Sequence, residues 1–188
     1  IASSLKLVKD QHEFSGRRSE GNKRIKIGYY SANFNDHPVA YLTVGVLECH
    51  NSDQYEIIAF SFSPSLDDPL QKRIVASVDR FIDVSKLSIQ EIVGLSRDIG
   101  VDIAIDLMGY TEYCRCDIFV HRCAPVQVNY LGYPGTSGHE HMDYIIADQT
   151  IIPGDAQQHY SEKVVYMPNC HFVYSDPPNL TGIEINKS

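Results

Sequence analysis

Short apolar runs alternate with helix-patterned stretches along most of this 188-residue chain, and few architectures accept that order. Arg24-Ile25-Lys26-Ile27-Gly28-Tyr29-Tyr30 passes from alternating to fully apolar residues, the mark of a strand entering a core. After a loop at 31–38, Val39, Leu42, Val46 and Leu47 recur at helical spacing as far as His50, with Pro38 suited to the first turn. The cycle then repeats. A strand is expected over 55–62, and Asp68-Pro69-Leu70 opens a helix to about residue 78 with Asp68 as its N-cap. A short strand follows at 80–84. Ser88 and Glu91 form a capping-box pattern for a helix to about residue 99, which Gly100 stops. Further strands are expected over 101–107, 125–131, 144–148 and 163–167, with a helix over 114–122. Near-continuous apolar strands separated by helices make a parallel sheet covered on both faces, and right-handed crossovers wind it both ways. The expected fold class is α/β, a doubly wound, mostly parallel Rossmann-like sheet.

Such sheets bind ligands outside the C-terminal ends of their strands, where the strand order reverses. Three loops fall at that edge: 31–38, 109–115 and 132–138. The last belongs to Leu131-Gly132-Tyr133-Pro134-Gly135-Thr136-Ser137-Gly138, which sets three glycines, a proline and two hydroxyls directly after a buried strand. Glycine permits close approach and positive φ, proline fixes a turn, and free N–H groups face an anionic or carbonyl oxygen.

A hydrophobic content of 43% suffices to bury a core, so one domain is expected over 24–170, and the polar stretch 1–23 reads as a linker into it. The net charge of −8 and the lack of a basic stripe argue against a nucleic-acid partner. No apolar run reaches the roughly 18 residues of a membrane span. Five cysteines without framework spacing suit a reducing compartment, and the cytoplasm is the expected setting.

Several side chains at the presumed ligand edge could carry chemistry. His37 could donate to a sugar or phosphate oxygen or move a proton; equally, it could cap its own helix. Asp36 could orient that imidazole, although its spacing favours an N-cap role. Tyr110 and Thr111 either line the cleft or form a turn around a core tyrosine. Arg115 could reach an anion or lie exposed on a helix. Asp102 and Asp106 share a strand face and read as cap or edge residues rather than an acid and base pair. Cys114 and Cys116, with His121 and Cys123 nearby, lack the spacing of a structural zinc site. His139 and His141 could share a metal, but solvated loop histidines are commoner. No metal is expected. The dinucleotide fingerprint, the phosphate-binding lysine loop and the serine-hydrolase elbow are all missing.

Motifs in register carry a resemblance: Ser31-Ala32-Asn33-Phe34 and Asp36-His37-Pro38, Met108-Gly109-Tyr110-Thr111, Ala124-Pro125-Val126-Gln127, the octapeptide at 131–138, Met142-Asp143-Tyr144-Ile145-Ile146, Tyr160-Ser161-Glu162-Lys163 and Tyr166-Met167-Pro168. In this order, over roughly 24–170, they resemble the N-terminal catalytic lobe of the O-linked N-acetylglucosamine transferases. The resemblance implies a GT-B glycosyltransferase of two Rossmann-like lobes, usually preceded by tetratricopeptide repeats. Such an enzyme moves N-acetylglucosamine from UDP-GlcNAc to protein Ser or Thr hydroxyls, with inversion and without metal or cofactor. The second lobe would follow this chain, with 171–188 as the tail leading toward it.

The resemblance further implies that His37 lies beside the donor sugar and acceptor, with Asp36, Pro38 and Val39 on the same wall. Leu131 and Gly132 would contact the sugar, and Tyr110, Thr111, Tyr133, Pro134, Gly135 and Thr136 would complete the substrate-binding rim. This chain departs from the family at Asn33, where many members carry an aspartate, at Asp36, which replaces an asparagine, and at Val39, which replaces a threonine of some members. An amide at position 33 cannot act as a general base. Competing expectations are a glycan- or protein-binding module of the same fold, or another GT-B sugar-nucleotide enzyme such as an epimerase.

Overall fold

A computed structural model describes residues 24–64 and 67–174; the 1–23 linker and residues 175–188 of the expected tail lie outside the described residues. Seven strands form one sheet: β1 (Ile25–Ser31), β2 (Tyr55–Ser61), β3 (Arg80–Asp83), β4 (Ile103–Asp106), β5 (Val126–Tyr130), β6 (Tyr144–Ala147) and β7 (Lys163–Tyr166). Every neighbouring pair is parallel, in the order β3-β2-β1-β4-β5-β6-β7. The order reverses between β1 and β4, which places the switch point where β1 and β4 end.

The two faces are covered separately. Helices α1 (Pro38–Cys49) and α2 (Pro69–Ser77) lay Ala40, Val44, Leu47, Leu70 and Ile74 on Ile27, Tyr29, Ile57, Ala59 and Ile105. On the other face, α3 (Ile89–Ile99) and α4 (Asp117–Val120) lay Ile92, Val93, Ile118 and Phe119 on Tyr30, Ile58, Phe60 and Ala104. Fully burying an aliphatic side chain such as Ile58, Ile74 or Ile92 stabilises by about 1.5–3 kcal/mol. The alternate residues of each strand therefore feed two cores, as a sheet buried on both sides requires.

The helix boundaries follow local chemistry. Asp68 caps α2 by accepting from Gln71 N at 2.7 Å, and Ser88 with Glu91 closes the capping box of α3, which Gly100 ends at φ 75°. Two expectations change. The helix read over 114–122 shrinks to the single turn of α4, because Tyr113 at φ 64° and Arg122 at φ 56° bracket it with left-handed backbone. Asp36 does not cap α1: the extended residue before the helix is His37, and Asp36 instead accepts from Tyr41 Oη at 2.9 Å.

Candidate functional site on the C-terminal rim

All three loops expected at the ligand edge emerge from C-terminal strand ends, after β1, β4 and β5. Hydrogen bonds stitch them in series. Met108, just past β4, accepts on its sulfur from Ala32 N at 3.3 Å, Ser31 Oγ at 3.4 Å and Asn33 Nδ2 at 3.4 Å, tying the β1 loop to the β4 loop. Tyr110 Oη then donates to Ser137 O at 2.6 Å, and its ring meets Tyr133 edge-on at 5.8 Å, tying the β4 loop to the glycine loop. Thr111 spends its hydroxyl on Met108 O at 3.0 Å, which closes the turn below Tyr110.

Glycine at 132 is a steric necessity. Leu131 sits at φ 75°, and a Cβ on Gly132 would lie 2.0 Å from Leu107 O. The β5 loop thus leans directly on the end of β4. Beyond it, Glu162 reaches up from the start of β7: its carboxylate accepts from Ser137 N and from Thr136 Oγ1, each at 2.7 Å. Burial pushes the Glu162 carboxyl up, but the bonds from Ser137 and Thr136 outweigh it and hold the group below its ordinary value. Tyr160 Oη donates to Pro134 O at 3.0 Å and Asn129 Nδ2 faces Gly135 O at 3.5 Å, so every turn of the glycine loop has a tether.

At the switch point, His37 is half-buried and caps α1, its Nδ1 accepting from Val39 N at 3.2 Å. Pro38 is exposed at the first helical position, and Val39 packs against the apolar cluster that also holds Phe34 and Leu131. The 31–38 loop, through Phe34, and the octapeptide, through Leu131, both contribute to the apolar cluster on this face of the sheet. No hydrogen bond joins His37 itself to 131–138 among the described residues; its recorded bond is to its own helix.

Asp106 ends β4 at 4% exposure, its two oxygens accepting from Met108 N at 2.9 Å and Gly109 N at 3.1 Å. Burial pushes this carboxyl up to about 6 against the pull of those two amides. Asp106, expected as a cap or edge residue, closes the turn that follows its own strand, whereas local spacing does not mark Met108, Asn129 or Glu162. Asp102 takes an edge role, accepting from Lys26 N at 2.9 Å.

Other candidates resolve into structure. Arg115 does not lie free on a helix: it donates to Val84 O and Leu87 O and covers the Phe62 ring. Cys116 donates to Gly109 O, and Cys123 packs beside Gln127. Among the described residues, the one set of three potential ligand atoms within 4.8 Å of one another is Asp148, Cys170 and His171, away from His139, His141 and the 114–123 cysteines. There the backbone N–H of His171, with those of Ile151 and Thr150, draws the Asp148 carboxyl down to about 2. His171 Nδ1 adds a contact at 3.3 Å, and Tyr130 Oη holds His171 O, so the group tethers the segment after β7.

These features define a class: a doubly wound α/β lobe that gathers its binding loops along one strand edge. The chain belongs to glycosyl transferase family 41, whose model matches residues 3–181. A probable UDP-N-acetylglucosamine–peptide N-acetylglucosaminyltransferase of Arabidopsis thaliana is 36% identical over 84% of this chain and 16% of its own length. The Caenorhabditis elegans enzyme of that name is 32% identical over 82% of this chain and 14% of its own. A solved mutant O-GlcNAc transferase of Thermobaculum terrenum superposes with a TM-score of 0.80 at 35% identity, over 86% of this chain and 31% of that one. The chain thus spans about a sixth of those two curated relatives and under a third of that solved chain.

Proposed function

We propose that this chain is the N-terminal lobe of a GT-B enzyme that transfers N-acetylglucosamine from UDP-GlcNAc to protein Ser or Thr hydroxyls, and that it supplies the sugar- and acceptor-facing wall. The observation that carries this reading is the rim itself: His37, the Tyr110 turn and the octapeptide stand along one strand edge at the switch point, in a member of family 41. A second lobe would close the cleft and hold the diphosphate by fixed cations and helix N-termini. Upstream tetratricopeptide repeats and a cytoplasmic setting accompany this reading; the five described cysteines are free, and no helix among the described residues is long and apolar enough to cross a membrane. UDP-GlcNAc enters as substrate, and the scheme calls for neither metal nor cofactor.

The geometry gives His37 a defined part. Because Nδ1 accepts from Val39 N–H, the neutral imidazole carries its proton on Nε2 and presents a donor to substrate oxygen. In transfer, the acceptor oxygen bonds to the anomeric carbon, and the bond to the UDP oxygen breaks with its electron pair leaving on UDP. His37 in this tautomer and Asn33 are both unable to take the hydroxyl proton, so that proton passes to another group. The lobe contributes orientation and proximity.

The test is UDP release and acceptor modification by the intact protein carrying His37→Ala or His37→Asn. Asparagine retains an N-cap acceptor but not the Nε2 donor, whereas alanine also loses the cap at about 1 kcal/mol. Both variants are expected to fold and to turn over about 100-fold more slowly. Unchanged transfer in either would remove His37 from the site. An intact protein that binds donor without releasing UDP would point to a binding module instead, and an altered free sugar with no modified protein to an epimerase.

A further inference from the structure

Asp106 ends β4 and Asn129 stands beside it in β5, paired in register across the parallel ladder. Registered residues of neighbouring strands leave the sheet on the same face. Both are buried, Asn129 at 1% exposure, and both line the cavity beneath the glycine loop together with Tyr110, Cys116, Tyr133 and His141. Each holds a different rim loop. Asp106 accepts from Met108 N and Gly109 N, while Asn129 Nδ2 donates to Tyr133 O at 3.3 Å and Gly135 O at 3.5 Å.

One atom in this arrangement is unmatched. Asn129 Oδ1 is one of two buried side-chain polar atoms, among the described residues, that no donor meets. A buried amide oxygen rarely goes unpaired, since leaving it so costs the full desolvation of the group. Its registered neighbour in β4 is Asp106, whose carboxyl becomes a donor when it holds a proton.

We infer that Asp106 and Asn129 are positioning residues that share a proton: protonated Asp106 donates to Asn129 Oδ1 and locks the amide in the orientation that holds the glycine loop. Loss of that proton reverses the preference. A carboxylate accepts only, so it draws the Asn129 amide N–H groups toward itself, and turning the amide over releases the carbonyls of Tyr133 and Gly135. The glycine loop then loosens, while the N–H bonds of Met108 and Gly109 to the ionised carboxylate hold. The position of Asp106's proton equilibrium fits, because burial places it near 6 rather than in the ordinary carboxylate range.

Other groups face the same carboxyl. The thiols of Cys116 and Cys123 are both pushed up by burial and stay neutral across this range, as does the Tyr110 phenol, which is also raised by partial burial. Tyr133, His139 and His141 line the same cavity. The inference rests on the proposed function only in calling this rim substrate-facing. Its test reads the loops themselves, so a protein that failed to transfer sugar would leave it standing.

The measurement is amide hydrogen exchange in the intact protein from pH 5 to 8, corrected for intrinsic exchange, with the Asp106 carboxyl followed by 13C NMR. The carboxyl is expected to titrate near 6, and protection of 133–138 to fall about tenfold as the pH rises through that value, while that of 108–109 holds. Asp106→Asn carries a permanent donor and should keep the glycine loop protected at every pH, at the expense of one of the two bonds to the β4 loop, whereas Asp106→Leu should lose protection in both loops at every pH. A double His139→Gln, His141→Gln variant should respond as the unaltered protein does. An ordinary carboxylate titration, a fall in protection confined to 108–109, a glycine-loop response that survives Asp106→Asn, or one that vanishes with the histidines would overturn the inference.

Discussion

The two ends of the sheet are closed by different chemistry. At the N-terminal ends, exposed charges pair over an open hollow of about 420 Å³: Arg24 with Asp79 at 2.7 Å, and Arg73 with Glu48 at 2.6 Å. At the C-terminal ends, glycines, tyrosine rings, a methionine sulfur and two buried carboxyls do the work, and the loops are tied to one another. Surface pairs of the first kind add little apiece and yield to salt. Buried polar groups of the second kind are expensive to leave unmatched, so they fix one arrangement of backbone. The difference marks the end built to hold a shape for something else.

Substitutions at the two ends should separate accordingly. The largest effect is expected from Gly132→Ala, whose new methyl would fall 2.0 Å from Leu107 O; denaturant unfolding should show a loss of about 4 kcal/mol or more. A loss under about 1 kcal/mol would mean the rim can shift freely, and the contrast between the ends would fail.

Next comes Glu162→Gln, which removes the charge from two bonds to the glycine loop and should cost about 2 kcal/mol near neutral pH. The sign follows from its depressed value. Between the folded value and the unfolded 4.5, the unfolded chain binds a proton that the folded chain does not, so this contribution is complete above 4.5 and lost as the pH falls through the folded value. Asp106 has the opposite sign: its folded value of about 6 exceeds the unfolded 3.8, so its share of stability is full below 3.8 and lost as the pH rises through about 6. Stability curves of Glu162→Gln and the unaltered protein should converge in acid; a constant gap would show that the carboxylate charge is irrelevant.

The smallest effect is expected at the other end. Glu48→Gln should cost no more than about 1 kcal/mol and nothing measurable in about 1 M salt. A larger, salt-resistant loss would place a second demanding structure at the N-terminal ends.

What the sequence discloses follows the same division. Features set by neighbours in the chain were readable: the alternation, the Asp68 cap, the Ser88 and Glu91 box with its Gly100 stop, and the glycine run after β5. The contest between Asp36 and His37 for the cap of α1 was not, because Asp36 is the better capping residue by type but is engaged by Tyr41. The span of α4 was also overread, since helical spacing does not reveal left-handed backbone at Tyr113 and Arg122. Met108 and Glu162 owe their roles to partners as far as 77 residues away, as between Met108 and Ser31, and Asn129 owes its place beside Asp106 to strand register. Nothing in local spacing announces such contacts; for Glu162 the only signal was its place in the motif Tyr160-Ser161-Glu162-Lys163.

On the proposed function, the C-terminal rim is the wall substrates meet. Hydrogen exchange of the intact protein, with and without UDP-GlcNAc and an acceptor peptide, addresses it directly. Protection is predicted to rise over 31–38, 109–115 and 132–138 while 47–57 and 73–79 stay unchanged. Protection confined to those two segments of the opposite hollow, with the rim unaffected, would contradict it.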